Sequence, residues 1–166
     1  GVYGYWPTLA DGSALVIYDP LTLQDSQPKE LMRFEFPRQV GGEELCLADY
    51  FLPVGSDHFD AVAFQVVTVG DAAAQRFAEL EASQSYSEAY FTHGLAVQMA
   101  EAAADYLHAH IRRELGLKAN QGLRYSWGYP AIPELSDHSK VFRLLPAEEA
   151  LGSTYDQGAS YVPQRR

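Results

Sequence analysis

One cysteine, Cys46, stands among the 166 residues, so no disulfide can close within the chain and no zinc site of the usual cysteine-rich spacing can form. Cys46 reads as a small buried hydrophobe in a reducing cytosol, which places the protein in the cytoplasm. Basic residues are scarce: 12 Lys and Arg face 22 Asp and Glu, for a formal net charge of −10. A nucleic-acid surface needs clustered cations. Apart from the terminal Arg165-Arg166, the only cluster is Arg112-Arg113, which argues against nucleic acid as a partner. Long apolar runs are missing too. Residues 61–69 are interrupted by Gln65 and Thr68 and are far too short to cross a bilayer, and no secretory signal is present. Glycines form neither a G-x-G-x-x-G fingerprint nor a phosphate loop, and there is no Ser-His-Asp elbow. His108 and His110 are two apart and would point to different faces of a helix, so they cannot chelate one metal together.

With 47% hydrophobic and 20% charged residues, the chain has the composition of one compact domain. Its start at Gly1 reads as an excised fragment of a larger protein. The first half is strand-rich. Ala14-Leu15-Val16-Ile17-Tyr18, bounded by Asp11-Gly12 and Asp19-Pro20, predicts a hairpin over residues 4–18. Residues 31–37 alternate apolar and polar, the period of a half-buried strand. Residues 59–69 are apolar and β-branched, which predicts a strand central in the sheet.

From Asp71 the pattern turns helical. Asp71 can cap a segment through Ala82, and Ser85 or Ser87 can start the next, whose apolar positions Val97, Ala100, Ala104, Leu107 and Ile111 recur every three or four residues up to Gly116. Such a stripe predicts a helix laid on a sheet. Residues 117–122 read as a linker, and short helices are expected over 134–144 and 146–151. Strands first and a long helix later predict an α+β fold with a mainly antiparallel sheet.

The most informative stretch is Arg124-Tyr125-Ser126-Trp127-Gly128-Tyr129-Pro130-Ala131-Ile132-Pro133. Two prolines fix their φ angles and restrict the residues before them, while Gly128 allows a close backbone approach or a positive φ. The segment is therefore stiff before anything binds. A guanidinium beside a rigid backbone suits a ligand carboxylate, because arginine offers a planar fork of donors. The plainer reading is a Pro-rich turn over the core with Trp127 and Tyr129 as plugs.

The run RYSWGYPAIP resembles the Arg-x-x-x-Gly-Tyr-Pro-Ala-Cys-Pro motif of the activation domain of cobalamin-dependent methionine synthase, with Ile132 in place of the family's cysteine. Three further blocks match in the family's order: GVYGYWP from Gly1, CLADYFLP from Cys46 and AEAAADYLHAHIRRELG from Ala100. The resemblance covers essentially the whole chain. It implies a helmet-like fold in which a twisted, mainly antiparallel sheet is packed by a long helix and shorter ones. It also implies that the chain ends before the family's last segment, which supplies an aromatic contact to the ligand.

That resemblance further implies binding of S-adenosylmethionine for reductive methylation of cob(II)alamin, with the cobalamin held by a neighbouring domain and the electron delivered by a flavodoxin-type reductase. On the family's pattern Asp49 holds the ligand's amino group, Glu101 lines the groove, and Arg124 is the partner of the methionine carboxylate. Ser126, Gly128, Tyr129, Pro130 and Ala131 form the ligand's wall, and Trp127 and Tyr129 face the cobalamin. Read from the residues alone, Glu101 is a solvated helix carboxylate and Asp49 a cap or turn residue. A different class, a stand-alone interaction or chaperone domain for a cobalamin-binding partner, would use the same acidic surface without S-adenosylmethionine.

Overall fold

The structure, a computed structural model, describes residues 1–118, 121–154 and 162–163. The chain divides into two compact units. One, the sheet unit, comprises Gly4–Phe64 and Arg124–Val141. The other, the helix unit, comprises Gly1–Tyr3, Gln65–Leu123 and Phe142–Arg166.

The predicted hairpin is present as β1 (Val2–Asp11) and β2 (Ala14–Tyr18), which pair antiparallel with Asp11 opposite Ala14. The two-residue turn between them works because Gly12 takes φ +63°, which costs a glycine nothing. β3 (Glu30–Glu35) pairs antiparallel with β2, and β4 (Asp60–Val66) completes a sheet of order β3-β2-β1-β4. β2 is the central, fully covered strand: Ala14, Leu15, Val16 and Ile17 are all 3% exposed or less. Its continuous apolar run is what burial on both faces requires. Thr8, opposite Ile17, is wholly buried and satisfies its hydroxyl by donating to the Val16 carbonyl oxygen at 2.8 Å.

The expectation that residues 59–69 form a central strand is corrected. β4 lies at the edge, ends at Val66, and buries only Phe64. Asp60 and Gln65 interrupt its apolar pattern, and Asp60 turns its carboxylate to accept the Leu52 N–H at 2.7 Å. An edge strand needs only part of its surface covered, so β-branched content alone did not locate it.

In the helix unit, α1 (Asp71–Ala82) and α2 (Tyr86–Glu114) are joined by three residues and pack against each other. Short connections of this kind make neighbours of consecutive helices. Asp71 does not cap α1. Gly70 occupies that position with φ +81° and Asp71 sits in the first turn, where a carboxylate complements the helix dipole. Ser85 precedes α2 as expected, and Gly116, at φ +64°, follows its end.

The predicted stripe on α2 holds for Ala104 and Ile111, which are buried, but Val97 is 45% exposed. Close packing at Ala104 is visible where Gln65 Nε2 donates to its carbonyl oxygen at 3.2 Å. The helical turns expected after Pro133 are a 3-10 turn (Leu135–Asp137) running into α3 (His138–Leu144), followed by α4 (Ala147–Leu151). A two-stranded ribbon pairs Ser153–Thr154 with Val162–Pro163. Among the described residues no helix is long and apolar enough to cross a membrane.

Candidate functional site

The Arg124 to Pro133 loop closes on itself. Gly128 N–H donates to the Ile132 carbonyl oxygen at 2.8 Å and Ile132 N–H to the Tyr129 carbonyl oxygen at 2.9 Å. Gly128 has φ +88°, and a Cβ added there would stand 3.2 Å from Leu135 Cδ2. Glycine is thus favoured for its backbone angle, and a side chain here would also press on Leu135. Ile132 is 4% exposed, so the position that departs from the motif's cysteine is a packed apolar one.

Trp127 and Tyr129 are treated differently by this loop. The Trp127 ring is half-buried, with centroids 5.9 Å from Phe34, 6.1 Å from Phe64 and 5.6 Å from His138. Trp6 joins the same cluster through Phe64 at 5.7 Å. The indole Nε1–H of Trp127 is buried with no hydrogen-bond partner among the described residues. Tyr129, two residues on, is 64% exposed. Burial holds the His138 imidazole below its ordinary pKa, against the raising effects of Asp137 and a hydrogen bond with the Leu135 backbone.

Residues 134–140, immediately after the loop, fasten it to β3. Glu134 accepts the Ser136 N–H at 3.0 Å, and its hydrogen bonds with Ser136 hold its carboxyl below the usual range. Lys140 Nζ lies 2.6 Å from the buried Asp137 carboxylate, donates to the Arg33 carbonyl oxygen at 2.8 Å, and stands 5.3 Å from the Phe34 ring centroid. A charge-assisted pair with one partner buried is a strong tie, and the cation over the ring adds to it.

Arg124, at the start of the loop, is half-buried and donates from Nη1 to Ser126 Oγ at 3.2 Å. A hydroxyl is a weaker partner for a guanidinium than a carboxylate. Pro130 is exposed and Ala131 partly so, which leaves this edge of the loop at the surface.

Asp49 lies in the same unit, on a 3-10 turn (Leu47–Tyr50). The cap-or-turn reading is correct as far as it goes, because Asp49 Oδ2 accepts the Cys46 N–H at 2.8 Å. The side chain does more. Arg38 grips it with both ends of its guanidinium, Nη2 to Oδ1 at 2.8 Å and Nη1 to Oδ2 at 2.9 Å. These bonds, the arginine's first and the Cys46 N–H second, hold the Asp49 carboxyl below its ordinary range. Arg38 went unnoticed in the sequence. The available signal was an arginine directly after Phe36-Pro37, just past β3, in a chain poor in cations.

Glu101 lies in the helix unit, on an exposed position of α2. In that unit a second polar cluster joins Tyr3, His110 and Glu114: the Tyr3 hydroxyl donates to Glu114 at 2.9 Å and sits 3.0 Å from His110 Nε2. Among the described residues no group of three or more His, Cys, Asp or Glu could hold a metal ion. The terminal segment, where the resemblance implies a missing aromatic contact, lies outside the described residues.

Comparison with known proteins identifies the family. Residues 1–165 match the family described as vitamin B12 dependent methionine synthase, activation domain. The methionine synthase of Mycobacterium tuberculosis is 33% identical over 187 residues, and that of Mycobacterium leprae 32% over 189. Each alignment covers 99% of this chain and 15% of the relative, so the chain spans about one-seventh of these relatives' length. Among solved structures, the MetH reactivation domain bound to AdoHcy (S-adenosylhomocysteine) superposes with a TM-score of 0.82 at 26% identity, covering 97% of this chain and 54% of that one. The α+β class and the antiparallel sheet read from the sequence are therefore those of the reactivation-domain fold.

Proposed function

Because this chain belongs to the family of vitamin B12-dependent methionine synthase activation domains, we propose that it binds S-adenosylmethionine and aims its methyl group at a cobalamin carried by a neighbouring domain of the same enzyme. The observation that carries the reading is that the sheet unit contains both a fixed carboxylate and the arginine of the motif loop. Asp49 is fixed as a carboxylate at its turn, and Arg124 is presented at the head of a closed, stiff loop. An amino-acid moiety has an ammonium and a carboxylate, and these two groups match them in chemistry. The AdoHcy bound to the similar reactivation domain carries that moiety.

In this reading Arg124 binds the ligand carboxylate and Asp49 the ammonium. The family resemblance assigns Glu101 to the same ligand. Ser126, Gly128, Tyr129, Pro130 and Ala131 form the wall on which the ligand lies. Tyr129 presents the exposed ring toward cobalamin, and Trp127 supports the same loop from within the aromatic cluster. S-adenosylmethionine supplies the methyl group and cobalamin the cobalt that receives it. The residues of this chain orient the donor and shield it from water, which is catalysis by placement. A flavodoxin-type reductase is the partner that delivers the electron, and the setting is the cytoplasm.

Calorimetric titration of the chain with S-adenosylmethionine and with S-adenosylhomocysteine tests the reading. Saturable one-site binding is expected for both. Absence of binding removes it and leaves the interaction-domain reading, in which the chain grips a cobalamin-binding partner without this ligand.

A further inference from the structure

Arg38 ties together three backbone segments of the sheet unit. Nη1 donates to the Glu44 carbonyl oxygen at 3.0 Å, and Nη2 reaches the Gly12 carbonyl oxygen in the β1–β2 turn at 3.4 Å. Both ends also hold Asp49. Glu44 itself has φ +52°, a left-handed angle that a non-glycine residue keeps only where its surroundings hold it, and its carbonyl is one of the groups Arg38 binds. The loop is closed behind it by Gln39 N–H donating to the Leu45 carbonyl oxygen at 3.0 Å.

A carboxylate offers about four lone-pair positions. On Asp49 Oδ2, the Arg38 and Cys46 donors use both; on Oδ1, Arg38 uses one. The Cys46 thiol is a further hydrogen-bond partner of this carboxylate, so few acceptor positions are left, and the fork prevents the carboxylate from rotating to offer others. The side chain of Asp49 is 30% exposed, so the carboxylate is partly open to solvent.

We propose that Arg38 is a positioning residue for ligand recognition, holding the plane of the Asp49 carboxylate so that it can receive an N–H of the ligand's α-ammonium. The inference rests on the proposed binding of an S-adenosyl amino acid. It adds that selection for the amino group depends on a residue that does not touch the ligand. A planar, bidentate fork can fix a carboxylate plane, and a point charge cannot, so lysine is not an equivalent replacement.

The test is a double-mutant cycle read by titration with S-adenosylhomocysteine on the 166-residue chain. Arg38→Ala should weaken binding roughly tenfold, within the range of coupling seen for side chains sharing one hydrogen-bond network. Arg38→Lys, which keeps the charge and is less disruptive if the alanine variant fails to fold, should recover only part of the loss. In an Asp49→Ala background, Arg38→Ala should change affinity less than twofold. The analogue of S-adenosylhomocysteine lacking the α-amino group should bind the parent and Arg38→Lys equally.

Full rescue by lysine overturns the role of the fork. A loss that persists undiminished in the Asp49→Ala background, or with the deaminated analogue, shows that Arg38 serves only to hold its loop and overturns the proposal. If the parent chain fails to bind S-adenosylhomocysteine, the functional reading falls. If the parent binds and Arg38→Ala binds as well, only the present inference falls.

Discussion

Trp127 and Tyr129 stand two residues apart on one tight loop, and the loop turns the first ring into an aromatic cluster with Phe34, Phe64 and His138 while leaving the second 64% exposed. The change of side is made at Gly128, whose φ of +88° reverses the chain between them.

These two aromatics should accordingly separate in a stability measurement. Trp127→Ala removes a ring that contacts three others and should cost about 3 kcal/mol in chemical denaturation. Tyr129→Ala should stay within about 0.5 kcal/mol of the parent, as exposed substitutions do. If Tyr129 instead proved as costly as Trp127, it would be a core plug and could not be offered to a cobalamin partner. In the full enzyme, Tyr129→Ala should slow reductive methylation more than it weakens S-adenosylmethionine binding by this chain.

Arg124 heads the motif loop and donates to a neutral hydroxyl, that of Ser126. Arg124→Ala should lower affinity for S-adenosylhomocysteine roughly thirtyfold, the equivalent of about 2 kcal/mol for a charge-assisted bond. Lysine at this position should rescue in part. Unchanged affinity of the alanine variant would show that the ligand carboxylate binds elsewhere.

Ile132 stands where the similar motif has cysteine, and it is 4% exposed. Ile132→Cys should leave ligand affinity nearly unchanged, because the side chain is taken up in packing. It should lower stability by about 1–2 kcal/mol, the cost of removing buried methyl and methylene groups. A large gain in affinity would show that sulfur matters at this position.

Stability should also fall with pH on account of His138. Burial lowers its pKa in the folded state below the ordinary value of 6.5. Between the folded and unfolded pKa values the unfolded chain binds more protons, so folding stability is complete above about pH 6.5 and declines as the pH falls below it. Melting temperatures measured between about pH 7.5 and 5 should show this decline, and His138→Gln should make it shallower. An identical slope in the variant would assign the effect to other groups.

Much of the fold is legible in local chemistry. The turn at Gly12, the onset of α1 at Asp71 and the stop near Gly116 need only glycine's backbone freedom and a change of hydrophobic period, which act within a few residues. The assignment of Asp49, Glu101 and Arg124 to a site comes from the family resemblance, which rests on residue identity in order along the chain. Strand position did not follow. Residues 59–69 and 14–18 are both apolar and β-branched, and only pairing across the sheet made the second central and the first an edge.

The same division runs through the site. That an arginine should precede a Gly- and Pro-stiffened loop is written locally, and so is the preference of Asp49 for a turn. That Arg38, eleven positions before Asp49, should take both of its oxygens is a contact between side chains on different loops, and no periodicity or spacing encodes it. The burial of Trp127 and the exposure of Tyr129 depend in the same way on which strands bring Phe34 and Phe64 beneath the loop. Local sequence sets which conformations each segment can adopt, whereas the partners that hold an ionised group or cover a ring come from other chain elements and exist only once the sheet has formed.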